Sequence, residues 1–235
     1  MKILKHFLPP IFNRNYIKKY FNLIYNRKKT IHKFKYEKNF YKRVAFINKA
    51  ISKYHDCKYL EIGVSTNKVF NSIPLKMSNK FGVDPNQGGN FRMTSDEFFI
   101  KYKNLKFDVI FIDGLHHYEQ CQKDCINSIN QLKENGIILF HDMLPRCEME
   151  QVIPQSFHTW TGDVWKVAVE LSHSRNMDFR ICNIDHGIGI LKPLKNHIYI
   201  KIPGLNSKNF EDFLEYKKNF KIINSEEALD FIGKD

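Results

Sequence analysis

Short apolar runs recur through the middle of the chain, spaced so that a helix fits between most of them. Lys58–Ile62 (KYLEI), Lys80–Val83 and Phe107–Ile112 (FDVIFI) come first, and Gly136–Phe140 (GIILF) is the fourth. Near-continuous apolar runs of this length, bounded by turn residues, predict strands buried on both faces. The stretch His117–Lys133 has a helical pattern and stops at Asn135–Gly136, as a helix C-terminus should. Asp163–His173 predicts another helix, with two late strands near Phe179–Ile184 and Gly187–Leu191. From Ser207 onward lie two short polar helical stretches, the second capped by Asn224 or Ser225 ahead of Glu226 and Glu227. Before the first strand, Tyr16–Tyr54 carries Ile17, Tyr20, Phe21 and Ile24 at helical spacing, which predicts one or two amphipathic helices. Strands alternating with helices predict an α/β protein with a parallel sheet covered on both faces.

Composition adds a boundary. The 235 residues suffice for one α/β domain and an appendage, and 43% hydrophobic with 26% charged residues argues against wholesale disorder. The net charge of +12 is confined to one end: 13 of the 37 basic residues and one of the 25 acids (Glu37) lie between Met1 and Arg43, leaving 24 of each sign beyond. The expected division is therefore a basic, aromatic-rich helical arm over 1–43, a catalytic domain over 44–195 and a C-terminal helical extension over 196–235. The neutral core makes nucleic acid an unexpected partner. The arm's charge, interleaved with Phe7, Leu8, Ile11 and Phe12, suits an anionic membrane surface. No run reaches the ~18–20 apolar residues that span a bilayer, and Ile3–Phe12 is broken by Lys5, His6 and Pro9–Pro10, a poor signal-peptide core. Five cysteines with no Cys-x-x-Cys pair read as reduced thiols, so a cytoplasmic protein is expected, with the arm at the membrane periphery.

In parallel sheets ligands bind beyond the carboxyl ends of the strands. Here those ends carry Glu61-Ile62-Gly63, Gly82-Val83-Asp84-Pro85, Asp113-Gly114-Leu115-His116 and His141-Asp142. Gly63 permits close backbone approach by a ligand, and Asp84 is placed to take two ribose hydroxyls; the plainer reading is a tight turn with a helix-capping Asp. Gly-x-Gly-x-x-Gly is missing, with Asn67 where a third glycine would help, and there is no Gly-Lys-Ser/Thr loop. A dinucleotide-binding dehydrogenase is disfavoured and a P-loop NTPase is excluded.

The blocks Glu61–Val64, Gly82–Pro85, Thr94–Phe98 (TSDEF), Phe107–Gln120, Gly136–Pro145 and Gly162–Lys166 together resemble the class I S-adenosylmethionine-dependent methyltransferases, over about Cys57 to Leu191. Within that superfamily the chain looks like the O-methyltransferases of bacterial sugar, capsule and natural-product pathways. The resemblance implies a Rossmann-like, doubly wound, mostly parallel sheet. It implies Glu61 and Gly63 at the methionine end of S-adenosylmethionine, Asp84 at the ribose, and Ser95 and Asp96 beside the adenine. Asn67 departs from the usual glycine, yet asparagine adopts a left-handed conformation more readily than most residues.

Asp113 and Asp142, ending adjacent strands, suit a hard cation such as Mg²⁺ with oxygen ligands. Macrolide sugar O-methyltransferases look similar here, which implies Asp113 and Asp142 as metal ligands and His116 as the general base; His117 or His141 could take that role instead. The metal-free alternative leaves both aspartates as helix caps. His117, Cys121 and Cys125 recur at one helix face and would make a zinc site or, more commonly, buried structural cysteines. Trp160 and Trp165 are each read as a sugar-stacking face or as core. The expected function is methyl transfer to a hydroxyl of a small-molecule sugar or glycan precursor, by an enzyme expected to be a homo-oligomer. A non-catalytic module on a decayed fold and an RNA methyltransferase are the alternatives.

Overall fold

The computed structural model describes residues 27–38 and 41–234. Seven strands form one sheet: β1 (Tyr59–Ile62), β2 (Lys80–Val83), β3 (Phe107–Ile112), β4 (Leu132–Phe140), β5 (Arg175–Cys182), β6 (Ile188–Ile198) and β7 (Ile222–Ile223). Their order is β2-β1-β3-β4-β6-β5-β7. The pairs β1–β2, β1–β3 and β3–β4 are parallel, β6 is antiparallel to both β4 and β5, and β7 runs parallel to β5. The sheet is therefore doubly wound and mostly parallel, with the strand order reversing at β1, between β2 and β3, and the carboxyl ends of β1–β4 on one edge.

Side chains alternate with period two along these strands and so divide the core. Leu60, Ile62, Ile110, Ile112, Ile138 and Phe140 face one side. They pack against Cys121, Cys125 and Ile129 of α4 (Tyr118–Gln131) and Val167, Ala168 and Leu171 of α6 (Trp165–His173). Tyr59, Val109, Phe111, Ile137 and Leu139 face the other side, against Phe46, Ile47 and Ala50 of α1 (Arg43–Ile51). Ala228, Phe231 and Ile232 of α8 (Ser225–Gly233) complete that layer. The remaining helices are α2 (Lys68–Asn71), α3 (Ser95–Lys101), α5 (Glu148–Gln151) and α7 (Phe210–Lys217). The two C-terminal helices stand where the pattern put them, and Asn224 caps α8 through a capping box with Glu227.

Three expectations change. The segment before β1 holds, among the described residues, one 3-10 turn (Arg27–Thr30) and α1; Ile31–Lys38 is not helical. Its backbone groups pair elsewhere, Lys33 N with Arg146 O at 2.8 Å and Glu37 N with Asn183 O at 2.8 Å, and Tyr36 Oη donates to Leu144 O at 2.6 Å. Ile17, Tyr20, Phe21 and Ile24 lie outside the described residues. The fourth strand begins at Leu132, not Gly136, because Leu132 pairs with Phe107 before an irregularity that includes Asn135 at φ +62°. The late hairpin is longer than its apolar stretch, since β5 and β6 remain paired out to Arg175 and Ile198 along an exposed polar ribbon.

Candidate active site

β1 delivers Glu61 with its side chain almost wholly buried. Tyr59 Oη donates to Glu61 Oε2 at 2.7 Å. Burial pushes the Glu61 carboxyl up to about 8; Tyr59 opposes this, Asp113 adds to it, and Lys80 and Arg43 lie on the lowering side. Gly63 follows at φ +85°, where a Cβ would collide with the backbone carbonyl of Asp113. Only glycine lets β1 leave the sheet against the start of the β3 loop at this point. Asn67 takes the left-handed conformation (φ +63°) and its Oδ1 accepts from Gly89 N at 2.8 Å, so asparagine does here what a glycine would, with an added hydrogen bond.

Asp84, directly after β2, organises the neighbouring loop. Its Oδ2 accepts from Ser65 N at 2.9 Å and its Oδ1 from Asn86 N and Gln87 N at 2.8 and 2.9 Å. Burial pushes its pKa up, but those three backbone donors and Arg92 outweigh it and hold the carboxylate below its ordinary range. A carboxylate offers about four acceptor sites, so room remains for further donors. Ser95 and Asp96 open α3 after the Thr94–Glu97 capping box. Gln120 Nε2 lies 3.1 Å from Ser95 Oγ, from Asp96 Oδ1 and from Asp124 Oδ1, which ties the two helix starts together.

The ends of β3 and β4 bring a second set of groups together. His141 Nδ1 lies 2.9 Å from Asp142 Oδ2 and 3.2 Å from Asp113 Oδ1. His116 Nε2 lies 3.2 Å from Asp142 Oδ2 and 3.5 Å from Asp113 Oδ1. His116 Nδ1 is 3.1 Å from the Trp160 carbonyl, and the two rings stack at 5.1 Å. A carbonyl only accepts, so Nδ1 carries hydrogen and Nε2 is the nitrogen free to exchange a proton with whatever enters the site. Asp142 holds φ +63°, a conformation uncommon for a non-glycine residue and found preferentially at functional sites.

Asp113, His141 and Asp142 each present one ligand atom within 4.8 Å of the others. His141 is buried, and neither ring nitrogen makes a well-formed hydrogen bond despite the short approaches to both carboxylates. Two carboxylates and an imidazole nitrogen without a satisfied partner are a donor set that fits a divalent cation. Without one, the surrounding charges set the protonation. Burial lowers the pKa of both histidines, yet the Asp142 and Asp113 carboxylates outweigh it and hold His116 and His141 raised. Burial likewise raises Asp113, but His141, His116 and Arg43 together hold it well below the carboxylate range.

One cavity of about 1170 Å³ joins these groups: Glu61, Gly63, Asp84, Ser95 and Asp96 line one part, and Asp113, His116, His141, Asp142 and Trp160 another. His117 instead precedes α4 and lines a smaller neighbouring cavity with Glu119 and Asn206. Cys121 and Cys125 are buried in the core, their thiols pushed up by burial, and no ligand cluster of the described residues contains them. Of the two tryptophans, Trp160 borders the cavity, whereas Trp165 is fully buried and donates Nε1–H to Gln151 Oε1 at 2.6 Å.

Residues 46–143, from α1 through the His141–Asp142 strand end, match a family model described as "Methyltransferase domain". The segment is a methyltransferase domain. The sheet around it is Rossmann-like, doubly wound and mostly parallel. Among solved structures, MycE methyltransferase from the mycinamycin biosynthetic pathway, in complex with Mg, SAH and mycinamycin VI, is 16% identical at TM-score 0.40, over 63% of this chain and 48% of that one. An O-methyltransferase from Bacillus cereus in complex with SAH is 8% identical at TM-score 0.49, over 78% and 93%. The SAH-bound Podospora anserina methyltransferase PaMTH1 is 19% identical at TM-score 0.45, over 65% and 77%. The chain thus spans about half the length of MycE. No curated protein matches it.

The domain boundary also shows what the strand-end pattern missed. Arg43 and Asp185 lie outside the matched segment, yet Arg43 Nη1 reaches Asp113 Oδ2 at 2.7 Å and Arg43 Nε reaches Asp185 Oδ2 at 3.0 Å. Asp185 opens an Asp-His-Gly triplet between β5 and β6 whose three residues all take positive φ, a feature visible only in the structure. Arg43 carried no signal that separated it from its many basic neighbours. No helix among the described residues is long and apolar enough to cross a membrane.

Proposed function

We propose that this chain transfers the methyl group of S-adenosylmethionine to a hydroxyl of a sugar or glycan precursor, assisted by Mg²⁺ and a histidine base. The observation that supports this most is the opening of the Gly63–Asp84 strand ends and the Asp113–His116–His141–Asp142 cluster into one cavity. Methyl transfer is an in-line displacement, so nucleophile, methyl carbon and sulfur must align in a site that excludes water. Glu61 and Gly63 would receive the methionine end, Asp84 the ribose hydroxyls, and Ser95 with Asp96 the adenine edge.

Asp113 and Asp142, with His141 beside them, would hold the cation. When bound, Mg²⁺ would supply a Lewis acid that lowers the pKa of the acceptor hydroxyl and opposes the carboxylate field around His116. His116 takes the proton at Nε2, while its Nδ1–H stays on the Trp160 carbonyl and keeps the ring aimed. Trp160, stacked on His116 at the cavity wall, offers a flat face for an acceptor ring. The basic segment Met1–Arg43 would bring the enzyme to an anionic membrane surface on the cytoplasmic side.

The test is transfer of a labelled methyl group from S-adenosylmethionine to a panel of sugars and nucleotide sugars, with and without chelator. Methylation of a hydroxyl that chelator abolishes and Mg²⁺ restores supports the whole reading. Full activity in chelator removes the cation, and transfer only to RNA removes the acceptor class.

A further inference from the structure

Two residues contributed from outside the methyltransferase-domain segment close a ring around the carboxylate cluster. Arg43, the first residue of α1, donates through Nη1 to Asp113 Oδ2 at 2.7 Å. The same guanidinium donates through Nε to Asp185 Oδ2 at 3.0 Å and through Nη2 to Asp185 Oδ1 at 3.2 Å, a bidentate fork. Asp185 Oδ1 in turn stands 3.7 Å from His141 Nε2. His141 Nδ1 then faces Asp113 Oδ1 and Asp142 Oδ2, which completes the circuit.

The division of atoms is what gives this ring a meaning. Asp113 turns Oδ1 toward His141 and His116, and gives only Oδ2 to Arg43. His141 turns Nδ1 toward the two carboxylates and leaves Nε2 toward Asp185. Each inward atom belongs to the candidate ligand set, and each outward atom meets Arg43 or Asp185. Metal-ligating histidines commonly give their second ring N–H to a carboxylate, and ligating carboxylates are themselves hydrogen-bonded from outside. His141 is buried and its inward Nδ1 makes no well-formed hydrogen bond, which leaves that nitrogen open to a further partner, while Nε2 meets Asp185 at ion-pair distance and not through a formed hydrogen bond.

We propose that Arg43 and Asp185 are positioning residues for a divalent cation held by Asp113, His141 and Asp142: Arg43 fixes the Asp113 carboxylate, and Asp185 fixes the His141 ring. This rests on the cation site of the proposed function, and it assigns the N-terminal basic segment a part in the active site as well as any surface role. Asp185 is itself oriented by the Arg43 fork, so the pair acts as one unit.

The sign of one substitution separates positioning from simple charge. Loss of a nearby positive group should by itself tighten cation binding, whereas loss of support loosens it. The measurement is Mn²⁺ binding to the full chain, read from the free-ion resonance, beside S-adenosylhomocysteine binding by calorimetry. Arg43→Gln and Asp185→Asn are each expected to weaken Mn²⁺ by about 10–100-fold, the usual range for lost outer support. Arg43→Lys, which keeps the charge but not the fork, is expected to stay weakened. S-adenosylhomocysteine affinity should be unchanged in all three, which also reports that they fold. Tighter or unchanged Mn²⁺ binding in Arg43→Gln overturns the proposal, and so does wild-type affinity in Asp185→Asn. Parallel loss of S-adenosylhomocysteine binding in Asp185→Asn reduces the pair to a structural role and overturns it too. Failure of the wild-type chain to bind Mn²⁺ removes the cation site itself, an outcome distinct from wild-type binding that the variants leave intact.

Discussion

His116 Nε2 lies 3.2 Å from Asp142 Oδ2, so the loop after β3 and the end of β4 meet at one titratable pair. With Nδ1 committed to the Trp160 carbonyl at 3.1 Å, the imidazole can exchange protons only on its cavity side. His116→Ala is expected to lower kcat by roughly 10²–10⁴-fold, the range for a lost general base. S-adenosylhomocysteine and Mn²⁺ affinities should remain those of the unsubstituted chain. Normal turnover in this variant, measured by labelled methyl transfer, would move the base to His141.

Asp84 holds its loop and, in the proposed function, takes the ribose of the cofactor. Asp84→Ala should weaken S-adenosylhomocysteine binding by about 1.5–3 kcal/mol, the scale of hydrogen bonds to a charged group. Because three backbone N–H groups also lose their acceptor, the thermal midpoint should fall in the same variant. Calorimetry and thermal melts read the two effects separately, and unchanged affinity would remove the ribose assignment.

Glu61 gives a pH dependence of defined sign. Its folded pKa, pushed up to about 8 chiefly by burial, lies above the ordinary 4.5, so the folded state holds a proton that the unfolded chain has released between those values. Stability contributed by neutral Glu61 is complete below about pH 4.5 and is lost as pH rises through about 8. Tyr59, Asp113, Lys80 and Arg43 are the groups that modulate it. Glu61→Gln should therefore gain on the unsubstituted protein across that window, by an amount on the order of a few kcal/mol. Melting curves from pH 5 to 8 that stay parallel for the two proteins would contradict a raised Glu61.

Gly63, which the proposed function places at the methionine end of the cofactor, has no room for a side chain. Gly63→Ala adds a Cβ at φ +85° directly against the Asp113 carbonyl. A loss of about 2 kcal/mol or more is expected from backbone strain and displacement together. Mn²⁺ affinity should fall with it, since Asp113 must move. A melt and an Mn²⁺ titration like those of the unsubstituted chain would contradict this.

The strands were readable because Tyr59–Ile62, Phe107–Ile112 and Gly136–Phe140 are buried throughout and apolar at nearly every position, a signal that needs no partner to be seen. The strand-end groups Glu61, Asp84, Asp113, His141 and Asp142 were readable as polar residues placed where a core has no use for them. Arg43 and Asp185 were not, because each takes its meaning from a contact far along the chain. Ile31–Lys38 lies inside the Tyr16–Tyr54 stretch expected to hold one or two helices, yet it is not helical. Its Lys33 and Glu37 amides pair with the carbonyls of Arg146 and Asn183, a tertiary pairing that no local pattern reveals. β7 has two residues and only its pairing with β5 reveals it.

The central claim is that this cavity binds S-adenosylmethionine beside a proton-accepting cluster. Calorimetric titration of the full chain with S-adenosylhomocysteine tests it most directly. The expected result is one-to-one binding that Asp84→Ala weakens and His116→Ala leaves intact. No heat of binding in a folded wild-type sample would contradict the claim and leave the chain a methyltransferase fold without its cofactor.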